Sequence, residues 1–382
     1  MQRFDAIVIG MGVMGAAATY SLTRRGARVL GLEQFHVAHD RGSSHGRTRI
    51  CRRAYFEHPD YVPLASRAFG LWDALGAAAG ELLFDRCGLI LSGRPDGVVV
   101  PGVRRAAAEY GLDIQTLSPS AAAANFEGFA FPPLHEVLYE ADAGLLHAER
   151  CVEAFVRLAR DGGAEVRERE ALRSWHADAC GVRVETEHAA YTADALILAA
   201  GAWSTRLLAS LGLPLRVLRK VQLWFVNRDA RYRRDRGCPV YGFEMGDRFY
   251  YGFPEVDSGE IKIAEHTGED ASNGPEQLDR SLRPTDADAV RAFVAAHLPG
   301  VGAEVVRHAV CMYTMTPDGH FVIDRHPQHE RVWLACGFSG HGFKFAPVVG
   351  VMLADALERG SRAVLPALFS CARFPLAASG RT

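Results

Sequence analysis

Residues 6–15 constrain this chain more than any other stretch. Ala6-Ile7-Val8-Ile9 has the apolar, β-branched content of a fully buried strand, and Gly10-x-Gly12-x-x-Gly15 follows at once. Gly10 permits a tight turn, Gly12 lets backbone approach a pyrophosphate, and Gly15 lets a helix pack closely on the strand. Residues 16–25 read as that helix, Gly26 stops it, and residues 28–32 read as a second strand with Glu33 at its end. A carboxylate there accepts hydrogen bonds from a ribose. The helix N-terminus offers free N–H groups to phosphates, at which Met14 stands. Strand, turn, helix, strand and terminal acid together predict a dinucleotide-binding unit. The unit alone leaves FAD and NAD open.

With 382 residues the chain exceeds one core of about 100–200 residues, so two domains are expected. Buried-strand signals recur at residues 193–201, where Gly201 ends the run, and at 332–337, with a late helix over 347–357. Elsewhere, 61–83 and 147–161 read as helices, 221–251 and 261–264 as sheet, and 286–298 as a helix. Residues 41–53 read as a polar loop. Dinucleotide-domain signals at the start, middle and end predict two interleaved domains rather than two consecutive ones. A formal net charge of -2 argues against nucleic acid as a partner. No apolar run approaches the roughly 20 residues of a membrane helix. With no targeting segment read at the N-terminus, a cytoplasmic protein is expected. The cysteines are scattered without a Cys-x-x-Cys pair, which supports neither a disulfide framework nor a metal site.

Four segments carry chemistry. Gly42-Ser43-Ser44-His45-Gly46-Arg47-Thr48-Arg49 and the following Arg52-Arg53 offer backbone donors and cations suited to phosphates or a flavin edge. Cys311-Met312-Tyr313-Thr314 contains a strand cysteine that by itself reads as core. Gly337-Phe338-Ser339-Gly340-His341-Gly342-Phe343-Lys344-Phe345 would let a flat ligand approach backbone, and Lys344 between two Phe reads either as an anion site or as a surface lysine. Tyr250-Tyr251-Gly252-Phe253-Pro254 leads to Lys262 and His266, whose spacing of four on a strand gives one face.

Together these segments resemble the monomeric sarcosine oxidase and N-methyltryptophan oxidase family of amine-oxidising flavoproteins, over nearly the whole chain. The resemblance implies an α/β fold, α+β overall. A Rossmann-like FAD-binding domain (residues 1–81, 142–212 and 317–382) would be interleaved with a mixed or antiparallel-sheet substrate domain (82–141 and 213–316). It implies FAD as cofactor, linked covalently through its 8α-methyl to Cys311. Gly10, Gly12, Met14, Gly15, Glu33, Gly42, Ser43, His45, Thr48, Arg49, Gly201, Gly340, Gly342 and Lys344 match cofactor-binding positions. Arg52 and Lys344 match the pair that holds a substrate carboxylate, and Tyr251, His266, Tyr313 and Gly340 match the amine site. Arg49 matches an arginine near the flavin and Lys262 the lysine of oxygen activation. The implied reaction takes a secondary amino acid, O2 and water to a primary amine, an aldehyde and hydrogen peroxide, in a monomer. A flavin dehydrogenase that does not use O2 is the alternative of the same fold. The chain departs from the family pattern at Arg47, Arg53 and Glu265 and over residues 245–248, adding two cations and an anion near the site and leaving the side-chain preference open.

Overall fold

The computed structural model describes residues 3–257 and 259–375. β1 (Arg3–Ile9), α1 (Val13–Thr23) and β2 (Val29–Leu32) form the expected unit. The turn is obligatory in backbone terms. Gly10 has φ +88°, and a Cβ on Gly15 would lie 1.8 Å from the Gly10 carbonyl oxygen. Only residues without a side chain allow α1 to start so close to β1.

β1 lies inside an eight-stranded sheet. Its parallel strands run in the order Val332–Cys336, Ala190–Leu198, β1, β2 and Glu165–Arg167. β2 and Val332–Cys336 are buried throughout, and β1 and Ala190–Leu198 are buried over their last residues, because helices cover the sheet there. α1, Ala148–Asp161 and Ala346–Arg359 pack together over one face, with Ala16, Ala17 and Ala18 fully buried. A nine-stranded mixed sheet forms a second core. It includes Leu89–Gly93, Val240–Met245, Arg248–Gly252, Glu260–Glu265, Arg216–Asn227 and Val301–Met315. Asp288–His297 packs on it, stacking Phe293 on Tyr250 at 4.6 Å.

The structure differs from the sequence reading in the segment 41–53. Residues Thr48–Cys51 are a strand, paired antiparallel with Gly144–His147. Their partner is about a hundred residues away, and a Cβ on Gly144 would lie 2.0 Å from the Asp85 carbonyl oxygen, so the small sheet closes around a missing side chain. Local polarity carries no trace of that pairing. The helix read over 61–83 ends at Ala79, where Gly80 takes φ +68°. Leu83 instead leads into the short strand Phe84–Asp85.

The long strand Val301–Met315, paired with Arg216–Asn227 in the nine-stranded sheet, runs towards the first sheet. Its far end leaves Cys311, Met312 and Tyr313 beside the first sheet, where Ser43 Oγ donates to the Met312 carbonyl (2.7 Å) and the Ser339 N–H to the Thr314 carbonyl (2.9 Å).

Candidate active site

One continuous cleft runs from the Gly10 turn and Glu33, past Gly42, Ser43 and Gly201, to Cys311 and the segment 337–344. Of the positions singled out in the sequence, Gly10, Gly12, Met14, Glu33, Gly42, Ser43, Arg49, Arg52, Gly201, Tyr251, His266, Cys311, Tyr313, Gly340, Gly342 and Lys344 line it. Gly15, His45, Thr48 and Lys262 do not. Gly15 acts through helix packing. His45 is buried behind the wall with its carbonyl on Arg49 (2.5 Å). Thr48 and Lys262 face another cavity.

At the dinucleotide end, Glu33 is buried and accepts from the Met11 N–H (2.8 Å) and the Phe35 N–H (3.0 Å). Each carboxylate oxygen retains a lone pair for a ribose hydroxyl. α1 begins at Gly12 without a side-chain cap, and only the Val13 N–H is met nearby, by Ser44 Oγ (3.1 Å). That end fits a pyrophosphate.

At the other end, Gly340 has φ +80°, and a Cβ there would lie 2.4 Å from the Tyr313 ring. The backbone can therefore come flush with the cleft. Arg49 donates to the carbonyls of Thr48 (2.8 Å), Ser43 (2.9 Å) and His45, and its Nη2 lies 3.9 Å from Cys311 Sγ. Cys311 is buried. The Gln222 side-chain oxygen is buried in this wall without a partner, which a donor on a bound ligand would supply. Glycines, an uncapped helix start, a buried acid and an unpartnered acceptor along one cleft fit FAD.

The amine end is built from buried polar groups. His266 lies one residue beyond the strand Glu260–Glu265, so the shared face expected for Lys262 and His266 does not hold: His266 lines the cleft and Lys262 does not. His266 Nδ1 lies 3.1 Å from the Tyr313 hydroxyl. Desolvation lowers the His266 pKa to about 4, leaving the ring neutral near pH 7. Lys220 was not singled out in the sequence. It pins the backbone here, donating to the carbonyls of His266 (2.9 Å), Thr267 (2.7 Å) and Gly268 (2.5 Å).

Arg52 and Lys344 are both buried on the cleft wall. Arg52 does not stand open. It binds both oxygens of Glu57 (2.7 and 2.6 Å) and lies 4.3 Å over the rings of Tyr55 and Phe56. Burial alone would raise the Glu57 carboxyl, but Arg52 outweighs it and brings the pKa to about 2. Lys344 Nζ donates to the His341 carbonyl (2.8 Å), and burial with the nearby Arg52 lowers its pKa to about 7. Sequence reasoning missed Glu57 because its spacing from Arg52 follows no strand or helix period. The three departures from the family pattern do not line the cleft. Arg47 pairs with Glu260, Arg53 with Asp142, and Glu265 with Arg248. Residues 245–248 do not line the cleft, whereas Phe249 and Tyr251 on the strand that follows do, Phe249 beside Phe56 and Leu91.

Comparison with known proteins agrees with this geometry. Residues 5–356 match the family model described as FAD dependent oxidoreductase. The chain is 40% identical over 380 residues to a monomeric sarcosine oxidase of Streptomyces avermitilis, covering 98% of each chain. It is 37% identical over 357 residues to an N-methyl-L-tryptophan oxidase of Salmonella dublin, covering 92% of this chain and 94% of that one. Among solved structures, NikD, an unusual amino acid oxidase essential for nikkomycin biosynthesis, superposes with TM-score 0.85 at 22% identity, covering 97% of this chain and 98% of that one, a likeness of fold. NAD is thereby set aside: with FAD as its cofactor, the chain belongs to the FAD-dependent oxidoreductases, in the group of the monomeric sarcosine oxidases and N-methyl-L-tryptophan oxidases.

Proposed function

We propose that this protein oxidises a secondary amino acid, N-methylated or cyclic, with O2, producing hydrogen peroxide and an aldehyde or imine. The observation that carries this reading is the pairing, in one cleft, of two buried cations with a neutral histidine–tyrosine pair. The chemistry a bound FAD would supply is acceptance of a hydride equivalent, two electrons and one proton, from the carbon beside the amine.

In this reading Glu33 and the start of α1 hold the ribose and pyrophosphate, while Arg49, Gly340, Gly342 and the Lys344 backbone face the flavin ring. Cys311 holds the 8α-methyl as a thioether, a role supported by its burial next to the Arg49 guanidinium. Arg52 and Lys344 bind the substrate carboxylate. The Arg52–Glu57 pair supports this, because a bidentate guanidinium–carboxylate contact is already formed there and a substrate carboxylate can take the place of Glu57. The same cations disfavour a positive ammonium, so the substrate amine loses its proton more readily. Neutral His266 and Tyr313 can then hold that amine by hydrogen bonds. Phe56, Leu91 and Phe249 form an apolar wall for the substrate side chain. Lys262 is the cation that assists the charge gained by O2.

The domain division follows the same reading. Residues 1–81, 142–212 and 317–382 are assigned to the FAD-binding domain, and 82–141 with 213–316 to the substrate domain, with 1–2, 258 and 376–382 lying outside the described residues; the strands that join the eight- and nine-stranded sheets support the division. A cytoplasmic monomer completes it. Cytoplasmic location is supported by eight free cysteines, as expected in a reducing compartment. No helix among the described residues is long and apolar enough to cross a membrane.

The test is a peroxide-coupled screen of secondary amino acids with the purified yellow protein. Activity without oxygen consumption would favour the dehydrogenase alternative. Acid precipitation should leave the flavin on the polypeptide, and Cys311→Ala should release it into the supernatant. Free flavin from the unmodified protein would overturn the covalent link.

A further inference from the structure

Gln222 lies in the middle of the strand Arg216–Asn227, which is paired on both sides. Its direct neighbours are Ala264 on one side and Ala309 on the other. Both carry only a methyl group, and neither side chain can hydrogen-bond an amide. Residues opposite each other across an antiparallel ladder share a face, as do residues two apart on one strand. Gln222 therefore shares its face with Lys220 and with Cys311, the cross-strand partner of Lys220, which lines the cleft.

In front of Gln222 stands Gly46. A Cβ there would lie 2.0 Å from Gln222 Oε1 and 2.9 Å from its amide carbon, so the amide occupies the space a side chain would fill. The polar groups around it are committed elsewhere. The Gly46 N–H donates to Glu149 (2.6 Å), the Gly46 carbonyl accepts from Lys262 (2.7 Å), and Arg49 donates to the carbonyls of Thr48, Ser43 and His45. Gln222 is buried and lines the cleft, and its Oε1 has no partner. An acceptor left unmet in a protein interior is destabilising, so one held in a ligand cleft points to a donor that arrives with the ligand.

Gln222 stands at the Cys311 end of the cleft, whereas Glu33 and the start of α1, which fit the ribose and pyrophosphate, mark the other end. We propose that Gln222 is a flavin-ring contact of this protein, hydrogen-bonded through its side-chain amide, and that it favours the reduced ring over the oxidised one. An amide turned end for end offers NH2 where it offered C=O. A reduced flavin carries more negative charge and one more ring N–H than an oxidised one. The donor end of Gln222 meets that charge, or its acceptor end meets the added N–H, and either contact is stronger in the reduced state. Gln222 only hydrogen-bonds, and no covalent bond or electron passes through it. The inference rests on the reading that places the flavin ring beside Cys311.

FAD affinity and redox poise test it. In a Cys311→Ala background, where FAD can be removed and returned, Gln222→Leu should weaken FAD binding roughly tenfold, the worth of one hydrogen bond. Without FAD, the same variant should unfold at an equal or higher temperature than its Cys311→Ala parent, because it buries no unmet acceptor. With FAD bound and a reference dye at anaerobic equilibrium, its ratio of reduced to oxidised flavin should fall roughly threefold at fixed poise. Unchanged affinity and ratio in the folded variant would overturn the proposal. So would weaker affinity with an unchanged ratio, which would put the contact away from the ring. Oxidised-minus-reduced infrared difference spectra of the unmodified holoenzyme, with glutamine labelled at its side-chain amide, need no variant. A shifted glutamine amide band is expected there, and its absence would overturn the proposal. Free flavin released from the unmodified protein by acid would fail the Cys311 link alone, because affinity and poise are measured without that link.

Discussion

Lys344 is buried against the His341 carbonyl, and burial with the neighbouring Arg52 brings its pKa to about 7. The unfolded chain keeps a lysine near 10.4. Between these values the unfolded state binds the extra proton, so the desolvation penalty is full below about pH 7 and fades as pH rises towards the unfolded value. Ligand binding runs the other way. A carboxylate pairs with the protonated lysine, so affinity for propionate should be flat below about pH 7 and weaken above it, and binding at higher pH should take up a proton. Titrating propionate against the flavin spectrum from acid to alkaline pH measures this. In Lys344→Met the alkaline step should vanish, and a step that persisted would assign it to another group. Residues such as Arg52, Cys311 and Lys344 were picked out through the family resemblance of their segments, since the local sequence alone left Cys311 as core and Lys344 open. Glu57 and Lys220 were not. Their importance comes from a partner, the Arg52 guanidinium and the 266–268 carbonyls, that no local pattern announces.

α1 is held between other elements more than by its own surface. Ten of its residues are buried, and it packs against Ala346–Arg359 where a Cβ on Gly350 would lie 2.5 Å from the Ala17 carbonyl oxygen. That contact is backbone against backbone, so neither side can turn away. Gly350→Leu should destabilise the protein by about 3 kcal/mol, the upper end of overpacking costs, and should also weaken FAD retention because the start of α1 moves with the helix. Urea unfolding and flavin loss on dilution measure the two effects. Loss of stability without any loss of FAD would show that the N-terminal turn is insulated from this packing. Elements of this kind were legible because their burial is nearly complete and their apolar runs are continuous. Thr48–Cys51 was not, because a four-residue polar strand is stabilised by a distant partner and not by its own sequence.

The cleft lies between two cores, and its walls come from chain segments as far apart as Gly10 and Lys344. A ligand that spans such a cleft stabilises the whole molecule by mass action. Apoprotein prepared from Cys311→Ala should gain about 2.7 kcal/mol when FAD is supplied at a hundred times its dissociation constant. Thermal unfolding with and without FAD checks this, and an unchanged midpoint would mean that the cofactor is not held across both cores. The sequence by itself determined the β1–α1–β2 unit, the acid at Glu33 and the order of the motifs. These depend on φ angles, close approaches and apolar runs that act within a few residues of each other. Only the tertiary structure decided that Arg52 is held by Glu57, that His266 and Lys262 open onto different spaces, and that Thr48–Cys51 separates them. Those outcomes depend on strand register and on the burial of charge across hundreds of residues, which is settled when the cores pack and not before.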